Sequence, residues 1–219
     1  MPADEAIDVY ATAARRGAAV RWLSRAAGRA RRRRHERFFW LTRVGRESRI
    51  LDVGCGALGL RAFEPSLDIT GVDVAERPDY PGPFVQADAA VELPFEDGAF
   101  DLAYSNSVIE HVAPERRAAF ARELRRVARG VFVQTPALGF PIDPHSLLPV
   151  AHWLPVALRQ RYWRLGAAGA WEEISLLRRS ELAALFETEP HAERVGPLVK
   201  SWIAIRPVPG NGGEGPAGH

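Results

Sequence analysis

The sequence predicts an α/β domain built on a doubly wound, mostly parallel sheet. Two observations carry that prediction. Residues 50–53, Ile-Leu-Asp-Val, read as a buried strand holding one carboxylate, and a turn containing Gly54, Gly56 and Gly59 follows at once. A strand, a glycine-rich turn and a helix start make a nucleotide site at the carboxyl edge of an open sheet. The second observation is a further strand, 67–74, with an acid, Asp73, near its end about twenty residues on. An acid there meets ribose hydroxyls.

Composition sets the outer limits. The chain has 219 residues, 47% of them hydrophobic, enough for one medium domain with a substantial core. Its only cysteine, Cys55, lies inside the glycine turn, which excludes an intrachain disulfide and suits a reducing, cytoplasmic compartment. The first residues lack an apolar core of signal-peptide length, and no apolar run is long enough to span a bilayer. The net charge of +2 hides an asymmetry: residues 1–49 hold 13 arginines and 5 acids, and the remainder carries −6. That balance speaks against a broad basic groove for nucleic acid.

Taken in order, residues 4–35 read as one or two helices, with Val20, Leu23 and Ala27 on one face. Arg29 and Arg31 to Arg34 form a basic run ahead of Phe38, Phe39 and Trp40. Residues 29–40 could contact phosphate or an anionic membrane surface. The favoured reading is a solvated helix whose aromatic end packs on the domain. Residues 49–53 are the first strand. A helix is expected from about Leu58 to before Pro65, then a strand over 67–73. Pro78, Pro81 and Pro83 forbid a regular helix in the next crossover. Phe84 to Ala87 form a short strand ending at Asp88. Phe100 to Ser105 form a fourth strand, and Asn106 to Val112 a loop with a short helix. An amphipathic helix is expected over Pro114 to Arg129, burying Phe120, Leu124 and Val127, with Gly130 after its end. Val131 to Gln134 is a fifth strand.

Beyond Pro136 the pattern changes. Residues 136–156 hold five prolines and two histidines. The region 136–175 reads as an insertion on the substrate side, carrying Trp153, Tyr162, Trp163 and Trp171, either a pocket lining or the core of a helical cap. Ser180 is the expected N-cap of a helix reaching Phe186. Val195 to Ile205 supplies a last antiparallel strand or hairpin. Residues 207–219 are a Gly/Pro tail expected to be disordered.

The motifs "LDVGCG", "GVDV" and "ADAAVELPFEDGAFDLAYSNSVIEHV" resemble the class I S-adenosylmethionine-dependent methyltransferases, in particular methyltransferase type 11, closely over about residues 48–135. The resemblance implies a Rossmann-like methyltransferase fold with a seven-stranded, mostly parallel sheet over 49–206, and an N-terminal helical lid at 1–48. It implies S-adenosyl-L-methionine as cofactor, S-adenosyl-L-homocysteine as product, and a small-molecule or glycan acceptor. The cofactor residues it implies are Asp52 for the amino group of the methionine portion, and Gly54, Cys55 and Gly56 for backbone passage. Asp73 is implied for the ribose hydroxyls, Val74 for adenine, and Asp88 with Ala89 for the adenine amino group. Ser105 and Asn106 would face the methionine end. The chain departs from the family where Leu58 stands in place of a third glycine, with Gly59 one residue on.

Catalytic candidates are His145, His111 and Asp143. Histidine titrates near neutral pH and can remove a proton from an acceptor. His145 lies in "FPIDPH", with Asp143 placed to orient it. The same loop could instead be a rigid proline turn that shapes the pocket. No metal ligand set is expected, since His145 and His152 are separated by Pro149 and joined by no carboxylate cluster. The rival readings are a nicotinamide-dependent oxidoreductase, a cofactor-binding scaffold without turnover, and a nucleic-acid methyltransferase.

Overall fold

The computed structural model describes residues 38–143, 146, 148–165 and 174–209. The expected N-terminal helices, the arginine run, His145, Trp171 and most of the Gly/Pro tail lie outside the described residues. Seven strands form one sheet: β1 (Arg49–Val53), β2 (Asp68–Asp73), β3 (Phe84–Gln86), β4 (Phe100–Asn106), β5 (Ala128–Pro136), β6 (His191–Val195) and β7 (Leu198–Arg206). Their order across the sheet is β3-β2-β1-β4-β5-β7-β6. The first five run parallel, while β7 lies antiparallel to β5 and to β6. The predicted doubly wound, mostly parallel sheet is therefore observed. Because β1 pairs with β2 on one side and β4 on the other, the winding reverses beside β1. A crevice opens at the carboxyl ends of strands at such a point.

Side-chain alternation along the strands builds a core on each face. Leu51, Val53, Ala103, Val131, Val133 and Ala204 point to one side. There they meet α1 (Arg117–Val127) and α3 (Arg179–Phe186), through Phe120, Leu124, Leu182 and Phe186. Ile50, Ile69, Leu102, Phe132, Ile203 and Ile205 point to the other side, under Phe38, Leu41 and Val44. Phe38 meets Tyr104 and Phe132 edge-on, at ring separations of 5.6 and 5.5 Å. The aromatic end of the N-terminal segment thus packs on the sheet as favoured, although Trp40 stays exposed.

Four element boundaries differ from expectation. Between β1 and β2 the chain makes a single 3-10 turn, Leu60–Ala62, where a helix was expected. Gly56 and Gly59 both adopt positive φ, which breaks a right-handed helix before it can start. The helix expected over 114–129 begins with a 3-10 turn at Pro114–Arg116 and ends at Val127. Gly130 does not cap it but lies inside β5, where an added Cβ would stand 2.9 Å from the Arg206 carbonyl oxygen and 3.1 Å from the Val208 nitrogen. Glycine is needed there for the close approach of β7. Finally, Arg178 rather than Ser180 occupies the N-cap of α3, and no side chain caps it. The closing hairpin begins earlier than expected, at His191, and its register shifts between Glu193 and Arg194.

The insertion contains a 3-10 turn, Ala151–Trp153, and α2 (Val156–Trp163). Trp163 is buried, whereas Trp153 is half exposed and donates its indole N–H to the Leu138 carbonyl at 2.8 Å.

Replacing Gly130 by alanine forces backbone apart at the β5–β7 contact. The expected cost is about 1–3 kcal/mol, read as a lower urea midpoint.

Candidate functional site

The glycine turn after β1 is folded by its neighbours rather than by its own residues. The Gly54 and Cys55 N–H groups both donate to the Val72 carbonyl of β2, at 2.8 and 3.1 Å. Gly54 has a φ of 72°, and an added Cβ would stand 2.4 Å from a methyl of Val108. Gly56 has a φ of 59°, and no atom lies within 4 Å of where its Cβ would be. Among the described residues the backbone at Gly56 is therefore open on its Cβ side. Its N–H donates to Asp73 Oδ2 at 3.0 Å, tying the turn to the end of β2.

Gly59 is required by its neighbours. An added Cβ there would stand 2.4 Å from Asp52 Oδ2. With glycine in place, that oxygen accepts the Leu60 N–H at 2.6 Å and holds the 60–62 turn. Asp52 is 2% exposed. Burial raises its pKa from 3.8 to about 6, the Leu60 N–H opposes the rise, and the charge of Asp73 adds to it. Cys55 is buried beside both acids. Burial first, then the two carboxylates, pushes its thiol up to about 12, so it stays a protonated packing residue.

Asp73 is the most heavily engaged acid of the site. Oδ2 takes the Gly56 N–H, and Oδ1 takes the Ala75 N–H at 3.0 Å. The Arg77 guanidinium lies 3.1 Å from both oxygens. Val74, beside it, is exposed. Asp88 follows β3. It accepts the Ala90 N–H at 2.8 Å and pairs with Arg116 at 2.7 Å. Partial burial alone would raise its pKa; Arg116 and the Ala90 N–H outweigh that and hold it below the ordinary value. Ala89 is buried next to it. At the end of β4, Ser105 is fully buried and its hydroxyl finds no hydrogen-bond partner among the described residues. Asn106 is exposed beyond it. The structure thus sets Asp52, Asp73, Asp88 and Ser105 at or just beyond the ends of four adjacent parallel strands.

Three nearby residues were missed in the sequence. Tyr80 packs against Gly59 and Gly71, where added Cβ atoms would stand 2.9 and 2.6 Å from its ring. Its hydroxyl is buried without a partner among the described residues. A tyrosine between prolines in a loop gives no signal of this place. Arg77 and Arg116 were hidden by the abundance of arginine.

The catalytic candidates are placed unevenly. His111 sits half-buried in the 3-10 turn Ile109–His111, directly after β4. Its neighbour Glu110 is 1% exposed and accepts the Thr135 hydroxyl at 2.9 Å; burial raises its pKa. Asp143 is buried and accepts the N–H and hydroxyl of Ser146 at 2.8 and 2.9 Å. Its other oxygen stands 3.6 Å from Nδ1 of His152, whose Nε2 lies 3.1 Å from the Leu138 carbonyl. His152, considered in the sequence only as a metal ligand, thus stands beside Asp143 among the described residues. Among the described residues no cluster of three or more metal-ligating side chains occurs.

The arrangement can hold a nucleoside-bearing ligand. Gly56 offers an open backbone, Ser105 and Tyr80 carry buried hydroxyls without partners among the described residues, and Asp73 and Asp88, now paired with Arg77 and Arg116, lie along the crevice.

Residues 51–131 match the protein family described as a methyltransferase domain. No curated protein matches the chain. The structure is similar to that of the PH0226 protein of Pyrococcus horikoshii OT3, with a TM-score of 0.55, 16% identity, 80% of this chain covered and 90% of that one. A Methanosarcina mazei protein titled as an S-adenosylmethionine-dependent methyltransferase gives a TM-score of 0.49 at 18% identity, covering 75% and 95%. A Burkholderia thailandensis 1,6-didemethyltoxoflavin-N1-methyltransferase, solved with bound 1,6-didemethyltoxoflavin and S-adenosylhomocysteine, gives 0.48 at 17% identity, covering 74% and 70%. At 16% identity and a TM-score of 0.55, the likeness to PH0226 speaks to the fold alone.

The raised pKa of Asp52 has a signed consequence. Below about pH 4, folded and unfolded chains both hold the proton. Between about 4 and 6 only the folded chain does, so stability falls with rising pH. Asp52→Asn removes the loss: its stability relative to wild type rises from pH 4 to pH 7 by up to about 3 kcal/mol, measured by urea unfolding at each pH.

Proposed function

With a methyltransferase domain at residues 51–131 as the premise, we propose that the chain transfers a methyl group from S-adenosyl-L-methionine to a small molecule or glycan. One observation carries the reading: the matched segment contains a bare glycine turn and acids at successive strand ends, in an order that suits methionine, ribose and adenine. The bound cofactor would supply an electrophilic methyl on a sulfonium, a group needing little covalent help. The protein's task is then to hold donor and acceptor in line.

In this reading the turn 54–56 lets the methionine portion pass close to the backbone. Asp52 fixes that turn through Leu60, and Cys55 packs behind it. Asp73 accepts the ribose hydroxyls, which requires Arg77 to give up its place on the carboxylate. Val74 lies against adenine, and Asp88 with the Ala89 backbone meets the adenine amino group. Ser105 and Asn106 face the methionine end, where the buried Ser105 hydroxyl gains the partner it lacks. Removal of an acceptor proton falls to His111 or His145. Asp143, which accepts the N–H and hydroxyl of Ser146, would orient the base.

The domain limits follow the same reading: a lid at 1–48, the catalytic domain at 49–206 with the insertion 136–175, and a tail at 207–219. Among the described residues no helix is long and apolar enough to cross a membrane, and a cytoplasmic site of action belongs to the proposal.

Calorimetry with S-adenosylmethionine and S-adenosylhomocysteine tests the reading. Wild type binds both, and Asp73→Ala weakens binding tenfold or more, about 1.4 kcal/mol. A folded wild type that binds neither overturns the proposal. Binding without turnover across an acceptor panel would favour the scaffold reading. Arg77→Ala, which frees acceptor positions on Asp73, tightens binding of both ligands in the same titrations.

A further inference from the structure

Packing beside Asp52 leaves one polar group without a use. Asp52, Gly71 and Phe84 are register partners across β1, β2 and β3, so they share one face of the sheet. Glycine in the middle leaves a notch, and the Tyr80 ring fills it. An added Cβ at Gly71 would stand 2.6 Å from the ring carbon that bears the hydroxyl. An added Cβ at Gly59 would stand 2.9 Å from the same ring and 2.4 Å from Asp52 Oδ2, so phenol and carboxylate crowd one point. Phe84 closes the far side, with ring centres 6.0 Å apart. A phenylalanine would fill this notch equally well. Tyr80 is nevertheless 7% exposed with its hydroxyl partnerless among the described residues, and such a hydroxyl costs stability.

The groups around Asp52 narrow the choice of partner. Among the described residues its carboxylate accepts one hydrogen bond, from the Leu60 N–H. Asp73 repels it and is itself paired with Arg77. The Cys55 thiol donates to the Gly56 carbonyl at 3.4 Å. Arg61 donates to the Leu67 carbonyl at 2.9 Å. Tyr104, the register partner on β4, stacks its ring on Phe132 of β5 at 5.2 Å. Tyr80 remains. Burial first, then the charges of Asp52 and Cys55, hold its pKa above the ordinary phenol value against the pull of Arg61, so it is a donor at neutral pH. An ionised carboxylate only 2% exposed needs more than one donor. We infer that the Tyr80 hydroxyl is the second donor to ionised Asp52, which makes Tyr80 a positioning residue for the acid beside the glycine turn. The pairing stands on the fold alone. Its use rests on the proposed function: if Asp52 meets the methionine amino group, the ionised form is the one that attracts an ammonium.

Urea unfolding of Tyr80→Phe against wild type, at about pH 4.5 and about pH 8, tests it. At the lower pH folded Asp52 keeps its proton, since its pKa is raised to about 6. At the higher pH it is ionised, and the variant lacks the donor. The folding constant of Tyr80→Phe relative to wild type should therefore fall about fivefold or more between the two. In an Asp52→Asn background the same substitution should show no such fall, because the group that ionises is gone. A constant offset from wild type across the range overturns the inference and leaves the hydroxyl to the ligand. A fall that persists with Asp52→Asn overturns it in favour of another acid. Should Tyr80→Phe not fold, carbon-13 labelling of the tyrosine ζ carbons decides. One resonance that survives Tyr104→Phe should move with a midpoint near the Asp52 value and stand still in Asp52→Asn; no such resonance overturns the inference. No ligand enters these measurements, so their failure is separate from failure of the methyltransferase reading.

Discussion

The site depends on the carboxylate of Asp73. Its Oδ2 holds the Gly56 N–H and its Oδ1 the Ala75 N–H, so one side chain at the end of β2 fixes both its own strand exit and the turn leaving β1. Charge-assisted bonds to backbone N–H groups are among the stronger hydrogen bonds available. They lock a turn whose glycines have no preference of their own. The Gly54 and Cys55 N–H groups, both held by the Val72 carbonyl, reinforce the lock from the same strand. Arg77 then covers the acid's remaining face. The same oxygens that organise the crevice are those the proposed cofactor needs, and Arg77 stands between the two uses.

Asp52 shows a different economy. It is buried, with its pKa raised, and stabilises one turn through one N–H. A buried carboxylate costs stability unless it is fully paired. Its persistence beside a glycine that no larger residue could replace ties the two positions together: Gly59 exists for Asp52, and the short turn exists for both.

Much of this was readable in the sequence because it depends on local chemistry. Strands β1, β2 and β4 announce themselves by apolar runs, and the acids by their place at strand ends. α1 shows its buried face by spacing. What failed depended on contacts between distant segments. Gly130 looks like a helix stop, but it is set by β7, more than seventy residues later. The helix after β1 is forbidden by two positive-φ glycines whose conformations the sequence does not print. Tyr80, Arg77, Arg116 and the pairing of Asp143 with His152 are products of loop packing, for which one-dimensional periodicity offers no measure. The shifted glycine was visible, but its reason was not.

The two margins of the sheet bear on how copies of this chain behave beside one another. At one margin β3 is three residues long and directly follows Pro83. At the other, the register of β6 against β7 slips between Glu193 and Arg194, and charged side chains occupy the slip. A strand adds to a sheet by finding a long, flat row of free N–H and carbonyl groups. A three-residue rim and an irregular, charged one offer a poor template for such addition. Among the described residues, both margins of the seven-stranded sheet therefore offer crowded or freshly made chains little invitation to stack edge to edge.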